Sequence, residues 1–244
     1  MNWVKHLNEL KYRLLLTISF ACVMFLMAFG YANEIYMLMS QPLVELFPSS
    51  SQLIATSVVT PIVTPIKLSL YIAMLLSMPF ACYQAWTFLL PALYPNEKKA
   101  TIWFMVASLS LFYIGLVFAY YIVLPMILLV ATHYGPESII LLPDMYLLLN
   151  FVLQLLLVFG LMFQTPVIIV LLHLSGIMTY HTLQEHRRMT IVLSLVVSML
   201  ITPPDVISQV MLALPIIMLI ELGIAASRCL ESTKSDLSLE KQFN

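Results

Sequence analysis

The sequence predicts an all-α integral membrane protein with six transmembrane helices, the last two of them short, and with both termini cytoplasmic. Three observations lead to this prediction. The 244 residues are 61% hydrophobic and only 9% charged, whereas about 25% of the residues in a soluble domain are charged. Long stretches contain no charged residue at all. The few cations are also unevenly distributed along the chain.

Four long uncharged stretches predict the first four spans. No Asp, Glu, Lys or Arg lies between Arg13 and Glu34, between Lys67 and Glu97, between Lys99 and Glu137, or between Asp144 and Glu185. Each stretch can hold the about 20 apolar residues that cross a hydrocarbon core about 30 Å thick. Lipid cannot satisfy backbone polar groups, and these runs do not alternate as barrel strands do, so they are helices. The spans cover about 14–32, 68–90, 101–124 and 147–172.

The last apolar region is divided by Pro203, Pro204 and Asp205. Sixteen uncharged residues precede Asp205 and fifteen follow it, up to Glu221. A single helix would carry two prolines at its centre, where each removes an amide donor and clashes with the preceding turn. A re-entrant turn or a pair of short spans fits this pattern. We predict the pair, at about 190–202 and 206–226.

The cation distribution supports six spans. One side of the membrane then holds ten cations and the other holds only Lys67. Because cytoplasmic loops carry the excess of Lys and Arg, both termini are predicted to be cytoplasmic. A five-span chain would put Arg228 outside. The ten cations are Lys5, Lys11, Arg13, Lys98, Lys99, Arg187, Arg188, Arg228, Lys234 and Lys241.

The segments outside the spans carry three further expectations. Residues 35–47, in the first outer loop, are predicted to form short helices over the outer mouth. Residues 1–228 form the transmembrane domain, and 229–244 form a polar, mobile cytoplasmic tail. The polar amino end and the long apolar run after it predict a retained first span, not a cleaved signal peptide.

Composition argues against several function classes. A net charge of −1 gives no basic field for nucleic acid. The three cysteines are scattered along the chain, and every histidine lies at or beyond a span end. This distribution predicts neither a metal site nor a disulfide. We found no nucleophile–base pair within the spans and no glycine-rich phosphate loop. The chain is therefore predicted not to be an enzyme and to bind no cofactor.

Four polar positions are candidates for function. Glu9 lies four residues from both Lys5 and Arg13, a spacing typical of surface ion pairs but also suited to presenting a carboxylate to a cationic partner. Glu97 is the only carboxylate of the proline-stiffened inner loop. Gln164 lies mid-span and serves either as packing glue or as a docking site. Glu221 lies within the sixth span, where an ionisable group suggests function, and Arg228 follows on a similar helix face.

Several separated motifs occur in one order along the chain. They are His6-Leu7-x-Glu9-Leu10-x-x-Arg13-Leu14, Ser40-Gln41-Pro42-Leu43, Pro65-Ile66-Lys67-Leu68, Pro91-Ala92-Leu93-Tyr94-x-x-Glu97, Phe112-Tyr113-x-Gly115-x-x-Phe118-Ala119-Tyr120 and Thr202-Pro203-Pro204-Asp205. With them the chain resembles the TatC family, the multi-spanning receptor subunit of the twin-arginine protein translocase. The resemblance runs from about His6 to Arg228.

This resemblance implies a concave bundle in the bacterial cytoplasmic (inner) membrane that binds twin-arginine signal peptides of folded precursors. It implies export driven by the proton-motive force, with TatA-type and TatB-type single-span partners and self-association. The implied signal-peptide residues are Glu9, Glu97, Leu10, Lys11, Arg13 and Phe88. The implied partner-docking or structural polar positions are Gln164, Glu221, Pro42 and Asp205.

Two positions depart from the family pattern. Lys11 stands where the family usually has arginine, so the charge is kept but the planar fork is lost. Gln164 stands where the family usually has glutamate, and an amide cannot titrate. The rival prediction is a small secondary transporter with a substrate path through proline-broken helices. Charged residues clustered at the inner face, and no evident repeat, weigh against it.

Overall fold

The computed structural model describes residues 3–45, 60–93, 98–133, 144–174, 187–201 and 206–243, together with Gly176, Thr182 and Glu185. Its elements are α1 (Trp3–Gly30), α2 (Ala32–Glu45), α3 (Thr60–Leu93), α4 (Lys98–Phe118), a π-helical turn (Ala119–Val123), α5 (Leu124–His133), α6 (Met145–Met162), α7 (Thr165–Leu174), α8 (Arg187–Ile201) and α9 (Val206–Phe243).

Five helical segments of the described chain are long and apolar enough to cross a membrane. They are Leu7–Gly30, Ile62–Phe88, Ile102–Leu129, Tyr146–Leu174 and Val206–Cys229. Lipid-spanning backbone must satisfy its polar groups internally, and helices do so. The predicted fold class, an all-α membrane protein, is confirmed. The cytoplasmic placement of the termini stays a prediction.

The remaining predicted span corresponds to α8, which has 15 residues. At 1.5 Å per residue it is about 22 Å long, shorter than the hydrocarbon core. Two side-chain amides from neighbouring helices donate hydrogen bonds to its backbone carbonyl groups. Gln209 of α9 donates to the Leu195 carbonyl at 3.1 Å, and Gln154 of α6 donates to the Leu200 carbonyl at 3.3 Å. These bonds attach the short helix to α6 and α9.

Prolines explain the interruptions of the two longest spans. Pro125 has no amide hydrogen to donate to the residue four positions before it. In the turn just before it, the Leu124 amide bonds to the Ala119 carbonyl, five residues back, which is the π-helical pattern. Likewise Pro166 follows the turn at Phe163 and Gln164 that separates α6 from α7. The third predicted span therefore continues as helix beyond Pro125, to His133.

The core lies where α6 meets the α4–α5 segment and α9. Leu155 and Phe159 of α6 are fully buried there, as are Leu124 and Leu212. Half of an apolar 18-residue stretch within the Tyr146–Leu174 span is buried, against 6% of the corresponding stretch of the first span. The helix α1 is therefore peripheral, packing mainly on α3 with Phe20 stacked on Phe80.

Glycines allow the close helix approaches around this core, as is common where membrane helices cross. A Cβ added at Gly115 of α4 would lie 2.9 Å from the Phe159 carbonyl oxygen, and one at Gly160 of α6 would lie 2.6 Å from the Phe112 ring. The two glycines thus let α4 and α6 interlock. Gly223 of α9 has the same role against Pro166 of α7, whose Cα would be 2.9 Å away.

Two segments outside the predicted spans, residues 229–243 and α2, are helical. Residues 229–243, expected as a polar tail, continue α9 as helix; the mobility of this tail stays a prediction. Short helices were expected over residues 35–47, in the first predicted outer loop, and the described part of that segment belongs to the helix α2. Its Tyr36 packs near Leu68 and Leu149. Burial, and secondarily the Asp144 charge, raise the pKa of Tyr36.

Candidate functional site

The amino-terminal half of α1 presents Glu9 and Arg13 one helical turn apart. The Arg13 Nη2 and Nε atoms both donate to Oε1 of Glu9, at 2.8 and 3.1 Å. The Glu9 side chain is 46% exposed and that of Arg13 is 21% exposed. Of the two ion pairs that the sequence suggested, this one is present. The side chain of Lys5 lies outside the described residues.

Arg13 also reaches across to α3. Its Nη1 donates to Oε1 of Gln84 at 3.1 Å. This bond joins residues 71 positions apart and connects the polar end of α1 to the last turns of the second span, which ends at Phe88. Arg13 is therefore held by two acceptors on two helices, which is more restraint than a surface i,i+4 pair gives.

A groove runs beside this contact, between α1 and α3. Its volume is about 410 Å³, and its lining is Leu10, Arg13, Leu14 and Thr17 from α1, with Ala81, Gln84, Ala85 and Phe88 from α3. Small residues on α3 leave the space open, and the flanking side chains are mainly apolar. Three residues proposed from the sequence, Leu10, Arg13 and Phe88, thus share one groove.

Other sequence candidates are not brought into this groove. Lys11 is exposed and is not among the lining residues. Glu97 lies outside the described residues, between the end of α3 at Leu93 and the start of α4 at Lys98. Its predicted convergence with Glu9 stays a prediction. Asp205 also lies outside the described residues, and Pro42 is described only as part of the helix α2.

Gln164 is buried, with 7% of its surface exposed. Its Nε2 donates to the backbone carbonyl of Ser108 on α4 at 2.9 Å, and the Ser108 hydroxyl donates to its Oε1. Both ends of the amide are thus bonded to a neighbouring helix. The geometry favours packing glue over docking for this side chain.

Glu221 makes an ion pair with Arg187, the first residue of α8, at 2.8 Å. The sequence analysis had singled out Arg228, seven residues along the same helix, as the neighbouring cation. Both paired side chains are about half exposed. The pair therefore joins the first residue of α8 to α9.

The sequence did not identify three partners: Gln84 for Arg13, Ser108 for Gln164 and Arg187 for Glu221. A search for every polar side chain inside an apolar span would have found Gln84 and Ser108 as candidates. Their partners, however, lie 71 and 56 residues away. In the described residues no cluster of three or more His, Cys, Asp or Glu could hold a metal ion.

Several known proteins are similar to this chain over most of its length. The sequence profile of the family described as "Sec-independent protein translocase protein (TatC)" matches residues 5–215. A protein of that name from Escherichia coli K12 is 42% identical over 225 residues, covering 92% of this chain and 87% of the relative. The Haemophilus influenzae protein is 40% identical, covering 92% and 88%.

A solved structure is also similar. The crystal structure described as "Twin Arginine Translocase Receptor- TatC" superposes with a TM-score of 0.85 at 33% sequence identity. The superposition covers 92% of this chain and 98% of that one.

Proposed function

Because this chain belongs to the TatC family of Sec-independent protein translocase proteins, we propose that it is the subunit that receives the signal peptide. It is a multi-pass membrane protein and a component of the twin-arginine translocase. The secondary-transporter alternative has no support from these similarities. The proposal concerns which residues of this chain bind the peptide, and where.

One observation carries the proposal: the groove of Leu10, Arg13 and Phe88 lies directly beside the Glu9 carboxylate. A twin-arginine signal peptide has a guanidinium pair followed by an apolar segment. An exposed carboxylate next to a mainly apolar groove matches both parts in order. Glu9 would bind a guanidinium, while Leu10, Leu14 and Phe88 would contact the apolar segment.

The chemistry favours arginine over lysine. A carboxylate can accept two parallel hydrogen bonds from a planar guanidinium, whereas an ammonium acts as a compact point charge. Two carboxylates would discriminate more strongly than one for paired arginines. We therefore propose Glu97, on the inner loop after α3, as the second acid of the site. Arg13 supplies the polar border of the groove, and we propose that the exposed Lys11 contacts the peptide outside it.

The setting of this site is also part of the proposal. In the predicted six-span topology ten of the eleven cations lie on the side that carries the termini, so we propose that this side is cytoplasmic and that the membrane is the bacterial inner membrane. TatA-type and TatB-type single-span subunits would be its partners, and the chain would self-associate. The translocase would draw on the proton-motive force, with no chemical step catalysed by this chain.

Peptide binding to the whole chain in nanodiscs tests the proposal. A fluorescent signal peptide with Arg-Arg is titrated against wild type, Glu9→Gln, Glu97→Gln and the double variant. A charge-assisted hydrogen bond contributes about 1.5–3 kcal/mol, so each single variant should weaken binding by about tenfold or more. The Lys-Lys peptide should bind the wild type more weakly than the Arg-Arg peptide does.

Glu34→Gln is the matched control, because Glu34 is an exposed acid on α2, outside the groove. It should leave peptide binding unchanged. Equal affinity of the wild type, the two single variants and the double variant for the Arg-Arg peptide would remove the proposed site. Site-specific photo-crosslinking from positions 9 and 97 should, in addition, capture the peptide near its arginines.

A further inference from the structure

The guanidinium of Arg13 already holds the carboxylate that the peptide is proposed to use. Two of its nitrogens donate to the same oxygen, Oε1 of Glu9, and the third donates to Gln84. A bidentate grip on Glu9 uses both carboxylate oxygens. An incoming arginine must therefore compete with Arg13 for Oε1.

Gln84 lowers the cost of displacing Arg13 from Glu9. It lies on a different helix and accepts from Nη1, which does not contact Glu9. When Arg13 releases Glu9, it keeps this hydrogen bond. An isolated i,i+4 pair would have no such second acceptor. The cost of releasing Glu9 is then only that of a partly exposed ion pair at this spacing, a factor of about two in binding.

We infer that Arg13 is an internal competitor of the signal peptide: it occupies the Glu9 carboxylate, and the peptide guanidinium displaces it towards Gln84. The inference rests on the proposed function, since it assumes that Glu9 binds the peptide. It assigns Arg13 a role opposite to that of a direct peptide ligand, because Arg13 lowers the affinity of the site.

Competition predicts a specific pattern. A guanidinium that grips both carboxylate oxygens needs Oε1, which Arg13 occupies, whereas an ammonium can bind the other oxygen alone, so Arg13 weakens arginine peptides more than lysine peptides. Removing the competitor should tighten binding of the Arg-Arg peptide more than that of the Lys-Lys peptide. A residue that merely oriented Glu9, or that touched the peptide, would instead weaken binding when replaced.

The test uses the whole chain in nanodiscs, with Arg-Arg and Lys-Lys peptides titrated by fluorescence anisotropy. Arg13→Gln should tighten binding of the Arg-Arg peptide by about twofold, the factor that corresponds to loss of such an ion pair, and that of the Lys-Lys peptide by less. Arg13→Lys keeps the charge but loses the fork, so its affinities should fall between those of wild type and Arg13→Gln. Thermal melting verifies that each variant is folded.

Arg188→Gln is the matched control, since it makes the same charge change at an exposed position of α8, which packs on α9 and α6 and not against the α1–α3 groove. It should leave both affinities unchanged. Unchanged or weaker binding by Arg13→Gln would overturn the inference. So would wild-type affinities in Arg13→Lys, because net charge alone would then explain the effect.

The two proposals fail differently. If Glu9→Gln binds peptide like the wild type, the proposed receptor site is wrong. If Glu9→Gln weakens binding but Arg13→Gln fails to tighten it, only the internal competition is wrong. In the Glu9→Gln background Arg13→Gln should have no further tightening effect, and a full effect there would also contradict the competition.

Discussion

Gln164 and Ser108 bond to each other twice across the interface of α4 with the α6–α7 turn. The amide of Gln164 donates to the Ser108 carbonyl at 2.9 Å and accepts the Ser108 hydroxyl. Both residues are buried. Removing one partner leaves the other unpaired away from water, which costs more than the bond itself contributes. This relationship leads to the first prediction.

Gln164→Leu and Ser108→Ala should each lower the stability of the purified protein by about 1–3 kcal/mol, the cost of leaving a buried polar partner unpaired. The double variant should lose less than the sum of the two, because the shared bonds are lost only once. Denaturation in mixed micelles measures all three.

Ser110→Ala is the control for this cycle. Ser110 is exposed on the same helix, and its hydroxyl donates to the Val106 carbonyl one turn back. We expect a change near zero for this variant. Strict additivity of Gln164→Leu and Ser108→Ala would show that the two residues stabilise the bundle independently, contrary to the geometry.

The interlocked glycines lead to the second prediction. Alanine at Gly115 would put Cβ 2.9 Å from the backbone oxygen of Phe159, and alanine at Gly160 would put it 2.6 Å from the buried Phe112 ring. Overpacking of this kind costs about 1–3 kcal/mol. Both variants should melt at lower temperature in detergent.

Gly30→Ala provides the comparison, because nothing lies within 4 Å of a Cβ at that position. Alanine favours helix more than glycine does, so this variant should melt at or above the wild-type temperature. A loss of stability at Gly30 equal to that at Gly115 would mean that packing is not the cause.

The third prediction concerns the bilayer beside the α8–α9 hairpin. Arg187 begins α8, and Glu221 lies 15 residues after the first residue of α9, so both charges stand about 22 Å from the outer end of the hairpin. The hydrocarbon core is about 30 Å thick. A charged pair at this depth favours local thinning of the membrane by roughly 8 Å, with water or headgroups drawn to the pair.

Nitroxide labels at exposed Val192 and Leu200 of α8 measure this thinning by depth-dependent quenching in nanodiscs. Labels at exposed Ile18 and Leu26 of α1 serve as the reference. The hydrocarbon thickness beside α8 should be smaller than that beside α1. The same thickness at the two helices would contradict the prediction.

How far the sequence predicts this protein can be judged from particular residues. The absence of charge between Arg13 and Glu34 predicts a span, and α1 passes through it. Pro203 and Pro204 predict a division of the last apolar region, and α8 and α9 lie on either side of them. The π-helical turn before Pro125 and the helical course of 229–243 were not predicted, because several backbone arrangements can satisfy the same composition.

The candidate site, too, was predictable only in part. Glu9, Leu10, Arg13 and Phe88 were named from the sequence, and three of them line one groove beside the fourth. Gln84 was not named. An amide in an apolar span shows that a partner is needed, but the spacing along the chain does not identify which helix supplies that partner.

The sequence by itself determined that lipid surrounds most of the chain and that its long apolar runs are helices, because lipid excludes charge and forces the backbone of each such run into a helix. Only the tertiary structure decided which polar groups meet: Gln84 with Arg13, Ser108 with Gln164 and Arg187 with Glu221. These partners lie 71, 56 and 34 residues apart. Their pairing follows from how helices pack and rotate against one another, and a one-dimensional pattern of hydrophobicity does not contain that information.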